Sequence, residues 1–60
     1  MKQYSLREFR KLLVNNGFIY DRCNGDHFIY YKNNNVVVVN KKLNMMVAKR
    51  LIKENDLKER

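Results

Sequence analysis

Asn24-Gly25, set between the runs Phe18 to Cys23 and His27 to Lys32, commits the centre of this chain to a β-hairpin. Asn-Gly favours tight turns whose twist matches that of the flanking strands, so the short aromatic and β-branched runs on either side read as an antiparallel pair. A second polar turn, Asn33-Asn34-Asn35, leads to Val36-Val37-Val38-Val39, a β-branched run too short for a helix and suited to a third strand. The centre is therefore expected to be a three-stranded antiparallel meander.

Both flanks carry helical signals. Ser5-Leu6-Arg7-Glu8 matches a capping box, Gly17 closes the segment, and Leu6, Phe9, Leu12 and Leu13 fall on one side of a helical wheel with Arg7, Arg10 and Lys11 mainly on another. Asn40 to Leu43 links the third strand to a final helix with Asn44 as N-cap. There Met45, Val47, Ala48, Leu51 and Ile52 form one stripe, and Lys49, Arg50 and Lys53 point elsewhere. Met45 and Met46 read as gap-filling core or surface residues. No internal repeat, proline-rich linker or low-complexity stretch interrupts the chain. Residues 1–60 are expected to be a single α+β domain in the order α-β-β-β-α, with both helices on one face of the sheet.

Sixty residues bury only about 60% of the surface their unfolded chain exposes, so any site should be shallow. Thirteen Lys and Arg against six Asp and Glu give a net charge of +7, which makes polyanions, and nucleic acid first among them, the natural partners. A membrane is not expected: neither helix pairs a wide leucine or aromatic face with a dense lysine face, and no apolar run approaches the roughly 20 residues of a span. Cys23 has no second cysteine to pair with. The opening Met1-Lys2-Gln3-Tyr4-Ser5 leads into a charged amphipathic segment, and together these point to a reducing, cytoplasmic setting. No cluster of Cys, His and carboxylates has metal-ligand spacing, and no glycine-rich phosphate loop is present, so neither a metal nor another cofactor is expected.

The chain has one histidine, His27, just after the first turn. Imidazole takes and returns a proton near neutral pH, as breaking an RNA phosphodiester requires, and beside so much positive charge it suggests cleavage; the other reading of a lone strand histidine is a half-exposed structural residue. Strand alternation groups His27, Ile29 and Tyr31 on one face and Phe28 and Tyr30 on the other. A core built on Phe28 and Tyr30 leaves His27 facing solvent; the opposite parity turns Ile29 inward. Lys41 and Lys42 precede the last helix, along which Lys49, Arg50 and Lys53 lie, near free N–H groups that favour anions. With Arg7, Arg10 and Lys11 of the first helix they form the candidate RNA-binding set, or else an ordinary solvated surface.

The α-β-β-β-α order is that of the double-stranded-RNA-binding domain, and the residues themselves resemble the HicA toxin family. The resemblance runs through an amphipathic helix ending in Asn16-Gly17-Phe18, the strand with Arg22, the hairpin Gly25-Asp26-His27-Phe28-Ile29-Tyr30, a valine strand, and the helix Lys49-Arg50-Leu51-Ile52-Lys53-Glu54 with Leu57 after it. Its sharpest element is glycine, one residue, then histidine. The resemblance implies a toxin that cleaves mRNA, His27 as its catalytic residue, Gly25 as the turn residue presenting it, and a HicB-like antitoxin that masks the site. The chain departs from the family pattern at Asp26, where a small hydroxyl residue is usual, at Asn40-Lys41-Lys42, where a proline, often with another histidine, is common, and at Met46, where glycine is frequent. An acidic Asp26 would either stabilise the imidazolium or repel phosphate.

The expected function is metal-independent RNA scission, with basic residues holding the backbone and His27 as general base or acid while the ribose 2′-OH attacks the adjacent phosphorus. Tyr4, Tyr31 and Lys32 are the candidates for a second proton carrier. The alternatives are a non-catalytic RNA-binding module using the same basic surface, and an interaction protein for an acidic partner.

Overall fold

A computed structural model of the chain describes residues 4–59; Met1 to Gln3 and Arg60, which the single-domain reading and the reading of the opening segment include, lie outside the described residues. The elements are α1 (Leu6–Asn15), β1 (Ile19–Asn24), β2 (His27–Lys32), β3 (Asn35–Asn40) and α2 (Met45–Glu54). The strands form one antiparallel sheet in the order β1-β2-β3. The α+β order and the meander are those the sequence predicts.

Local chemistry sets the helix bounds. The Ser5 hydroxyl accepts from the Glu8 N–H at 3.2 Å while the Glu8 carboxylate accepts from the Ser5 N–H at 3.1 Å, closing the capping box. Asn44 caps α2 by accepting from the Val47 N–H at 3.0 Å. Both helices end alike. In α1 the Gly17 N–H reaches the Val14 carbonyl and the Phe18 N–H the Leu13 carbonyl, each at 3.0 Å, with Gly17 at φ 90°. In α2 the Asp56 N–H reaches Lys53 and the Leu57 N–H reaches Ile52, with Asp56 at φ 51°. These are Schellman closures, whose left-handed residue is followed by an apolar one packed back on the helix. Phe18 is that residue for α1, and so it belongs to the helix end and the core. β1 accordingly begins at Ile19, one residue later than the sequence suggests.

The core joins Phe9, Leu12 and Leu13 of α1, Ala48 and Leu51 of α2, and Tyr30, Val37 and Val39 of the sheet, with Phe18 and Leu57 completing it. Every sheet residue in this cluster has the same parity, so both helices cover one face and the other is open. The segment after α2 is fastened to the end of α1: the Asn16 side chain accepts from the Lys58 N–H at 2.7 Å and donates to the carbonyls of Lys58 and Leu12. The Tyr4 hydroxyl donates to Glu59. Among the described residues no helix is long and apolar enough to cross a membrane.

Candidate active site

The first hairpin closes through a two-residue loop, Gly25-Asp26, with Asn24 paired to His27. Gly25 takes φ 63° and Asp26 has an ordinary negative φ, the type II′ pattern in which glycine fills the first central position. A Cβ on Gly25 would meet no atom within 4 Å, so the backbone angle and not crowding calls for glycine there. Asn24, half of the turn signal in the sequence, is thus a paired strand residue. The Asp26 carbonyl accepts from the Lys41 N–H at 2.8 Å, binding the turn to the residue that follows β3.

The ladders then place His27 on the open face, as the parity built on Phe28 and Tyr30 predicts. Three cross-strand rows make up that face: Asn24, His27 and Asn40; Arg22, Ile29 and Val38; Ile19, Tyr31 and Val36. The pairing slips at Asp21, an extra residue in β1 that forms a bulge. Because of it Tyr20 joins Tyr30 on the helix side while Arg22 lies on the face of His27; strict alternation from Tyr20 would have turned Arg22 to the helices. The row farthest from His27 is apolar and open, Val36 being 64% exposed and Ile19 55%.

The His27 ring has one polar neighbour, the side-chain amide of Asn40, whose Nδ2 lies 3.3 Å from Nε2. The orientation of that amide is fixed independently, because its Oδ1 accepts from the Lys42 backbone N–H at 2.8 Å. The atom facing the ring is therefore a donor, Nε2 is an acceptor, and the neutral ring carries its proton on Nδ1. Such an imidazole presents a lone pair at Nε2 and an N–H at Nδ1. No hydrogen bond or ion pair joins the Asp26 carboxylate to it.

The basic residues do not gather around His27. Arg7, Arg10 and Lys11 line a shallow depression on α1 with Val14 and Tyr30, on the helix side. Arg10 is held there: its Nε donates to the Tyr30 hydroxyl at 2.7 Å and its guanidinium stacks 4.0 Å from the centre of the Phe28 ring. Lys41 also turns to the helix side, its ammonium 5.8 Å from Phe28. Lys49, Arg50 and Lys53 are exposed on α2, Arg50 3.9 Å from Glu54. Of the candidate set Lys41 and Lys42 are tied to the His27 site, and both through backbone N–H groups, to the Asp26 carbonyl and to Asn40. None of the three candidate second proton carriers is bonded to His27. Tyr4 donates to Glu59, Lys32 donates to the Asn16 carbonyl at 2.9 Å, and Tyr31 lies two rows away.

Sequence reasoning passed over Asn40 and Arg22. Both were findable from register: the two-residue turn at Asn33-Asn34 puts Asn40 opposite His27, and the Asn24–His27 pair puts Arg22 opposite Ile29.

The whole of this arrangement, from α1 to the segment after α2, falls within residues 6–58, which match the family model described as the HicA toxin of bacterial toxin-antitoxin. No curated protein and no solved structure matches the chain. The chain belongs to the HicA toxin family of bacterial toxin-antitoxin systems.

Proposed function

We propose that the chain is the toxin of its pair and an endoribonuclease that cuts mRNA, with His27 moving the proton. The observation that carries this reading is the placement of His27: the chain's one imidazole stands exposed at the head of β2 on the uncovered face, with Nε2 3.3 Å from the side-chain amide of Asn40. In the step we envisage, the 2′-OH of the substrate displaces the Asn40 amide and gives its proton to Nε2 as its oxygen attacks the adjacent phosphorus. The bond to the 5′-oxygen breaks, and that oxygen takes a proton from the imidazolium or from water. The products are a 2′,3′-cyclic phosphate and a 5′-hydroxyl. The substrate supplies its own nucleophile, so the scheme needs no metal-activated water and leaves DNA intact. Acid-base help of this kind contributes about 10² to 10⁴ in rate, a modest enzyme suited to growth arrest in the cytoplasm. A HicB-like antitoxin covering the open face would silence it.

One observation favours the non-catalytic alternative: the exposed cations Arg7, Lys11, Lys49, Arg50 and Lys53 lie on the helices, across the sheet from His27, and would hold RNA without bringing it to the imidazole. Incubation of the protein with a long single-stranded RNA in EDTA, beside His27→Ala and a matched DNA, separates the two. Cleavage of RNA only, lost in His27→Ala with affinity retained, supports the nuclease. Intact RNA bound with a steep salt dependence refutes it.

A further inference from the structure

We propose that Arg22 is the phosphate ligand of the His27 site, an inference that rests on the nuclease reading and adds to it the group that holds the scissile phosphate. The cations on α1 and α2 lie across the sheet, and Arg10 and Lys41 are both turned to Phe28 on the helix side. Lys42 meets the site through its backbone N–H and not its ammonium, so a phosphate at Nε2 draws its positive charge from the open face itself. Of the side chains in its three rows, Arg22 is the one cation apart from any charge His27 acquires.

The register sets its reach. Arg22 pairs with Ile29, and His27 is two residues back along β2, so the two are diagonal neighbours on one face, with Cβ atoms about 7–8 Å apart. An extended arginine and an imidazole converging from that separation leave room for one tetrahedral anion between them. The guanidinium is free to take it: its side chain is 65% exposed, and its bond to the Asp21 carboxylate, at 2.6 Å, runs through Nη1, leaving other N–H donors of the fork. An exposed ion pair between sequence neighbours holds weakly against a phosphate that offers two oxygens to the fork. The bulge matters twice, since Asp21 is both the extra residue that brings Arg22 and Tyr20 to opposite faces and the carboxylate that occupies Arg22 when no substrate is bound.

The test compares wild type, His27→Ala, Arg22→Ala, Arg22→Lys and Asp21→Asn for RNA cleavage, and the same proteins for binding to a 2′-O-methyl oligonucleotide that cannot be cut, with folding checked by circular dichroism. Loss of a preorganised donor to a phosphoryl oxygen typically costs about 10²-fold in rate, so Arg22→Ala should fall by about that much. Arg22→Lys, with charge but no fork, should recover only part of it, and Asp21→Asn should cleave at least as fast as wild type. Binding of the uncut oligonucleotide should weaken in Arg22→Ala and lose salt dependence by about one phosphate contact. Wild-type cleavage that His27→Ala abolishes and Arg22→Ala leaves intact overturns the inference while sparing the nuclease reading. Absence of cleavage by wild type overturns the nuclease reading, and the binding arm then decides Arg22 alone: unchanged affinity and salt slope in Arg22→Ala overturn it.

Discussion

Replacing Asn40 should change which nitrogen of His27 carries the proton, and this is measurable without any assay of activity. The Lys42 N–H fixes Asn40 Oδ1, so Nδ2 faces Nε2 and the bond stands only when Nε2 is unprotonated. In the other neutral tautomer two donors face each other and the bond is lost. A net hydrogen bond contributes about 1 kcal/mol, which is roughly a fivefold bias towards the Nδ1–H form relative to a ring without Asn40. Nitrogen-15 chemical shifts of the imidazole, read in alkaline buffer with the ring neutral, report the tautomer ratio directly. Wild type should show about fivefold more Nδ1–H form than Asn40→Ala. Asn40→Asp should reverse the bias, since a carboxylate still accepts from the Lys42 N–H but presents only acceptors to the ring. An equal tautomer ratio in wild type and Asn40→Ala, or a higher share of the Nε2–H form in wild type than in Asn40→Ala, would refute the assignment of Nε2 as the waiting base.

Three further outcomes are expected from the same structure. Asp56 holds a left-handed φ of 51° at the close of α2, so Asp56→Gly should stabilise the fold by about 1 kcal/mol, a rise of roughly 5 to 8 °C in Tm; the exposed pair with Lys58 that it gives up is weak, and an unchanged or lower Tm would count against the strain. Asn16→Ala removes bonds to both polar groups of the Lys58 backbone and to the Leu12 carbonyl, and should cost about 2 kcal/mol in urea unfolding; a loss below about 0.5 kcal/mol would show that the segment after α2 does not depend on it. The Tyr4 phenol is pushed up from 10.0 to about 12, first by desolvation and then by its hydrogen bond to Glu59. The unfolded chain ionises first, so the stability from this contact is full below pH 10 and lost as pH rises to 12; the stability gap between wild type and Tyr4→Phe should shrink across that window, and a constant gap would refute the shift.

What the sequence discloses here is whatever neighbouring residues decide among themselves. Ser5 with Glu8, Asn44, Gly17 and the turn at Gly25 are local devices, and each marks an element end within a residue. Phe18 shows the limit, because its identity suits a strand while its backbone N–H is already committed to closing α1. The parity of β2 was legible from Phe28 and Tyr30, and with it the open placement of His27. Where the cations point is decided by packing. Half-buried Phe28 presents an aromatic surface that draws Arg10 and Lys41 towards it, so a residue that looks free on the wheel of α1 and another in the link before α2 are both engaged. Arg22 and Asn40 follow from register counted outward from the two turns, whereas the bulge at Asp21, which no local pattern in β1 announces, decides that Tyr20 lies on the opposite face from Arg22.

Why the proposed site stands on the open face follows from size. Two ten-residue helices span about 15 Å each, enough to cover one side of a three-stranded sheet and no more. On the covered side, Tyr30, Val37 and Val39 are at most 2% exposed and leave no room for a substrate. The face of the sheet left accessible is therefore its uncovered side, and in the proposed mechanism a histidine acts there only if its parity is right. A slip of one residue in the β1–β2 pairing would change the neighbours of His27 on β1, and a slip of one residue along β2 would turn the ring to the helix side. The two-residue loop at Gly25-Asp26 prevents both, since its first position needs a positive φ that glycine adopts without strain and its length admits one register. Gly25 therefore serves the proposed site without touching a substrate: its backbone angle holds His27 opposite Asn24 and diagonal to Arg22.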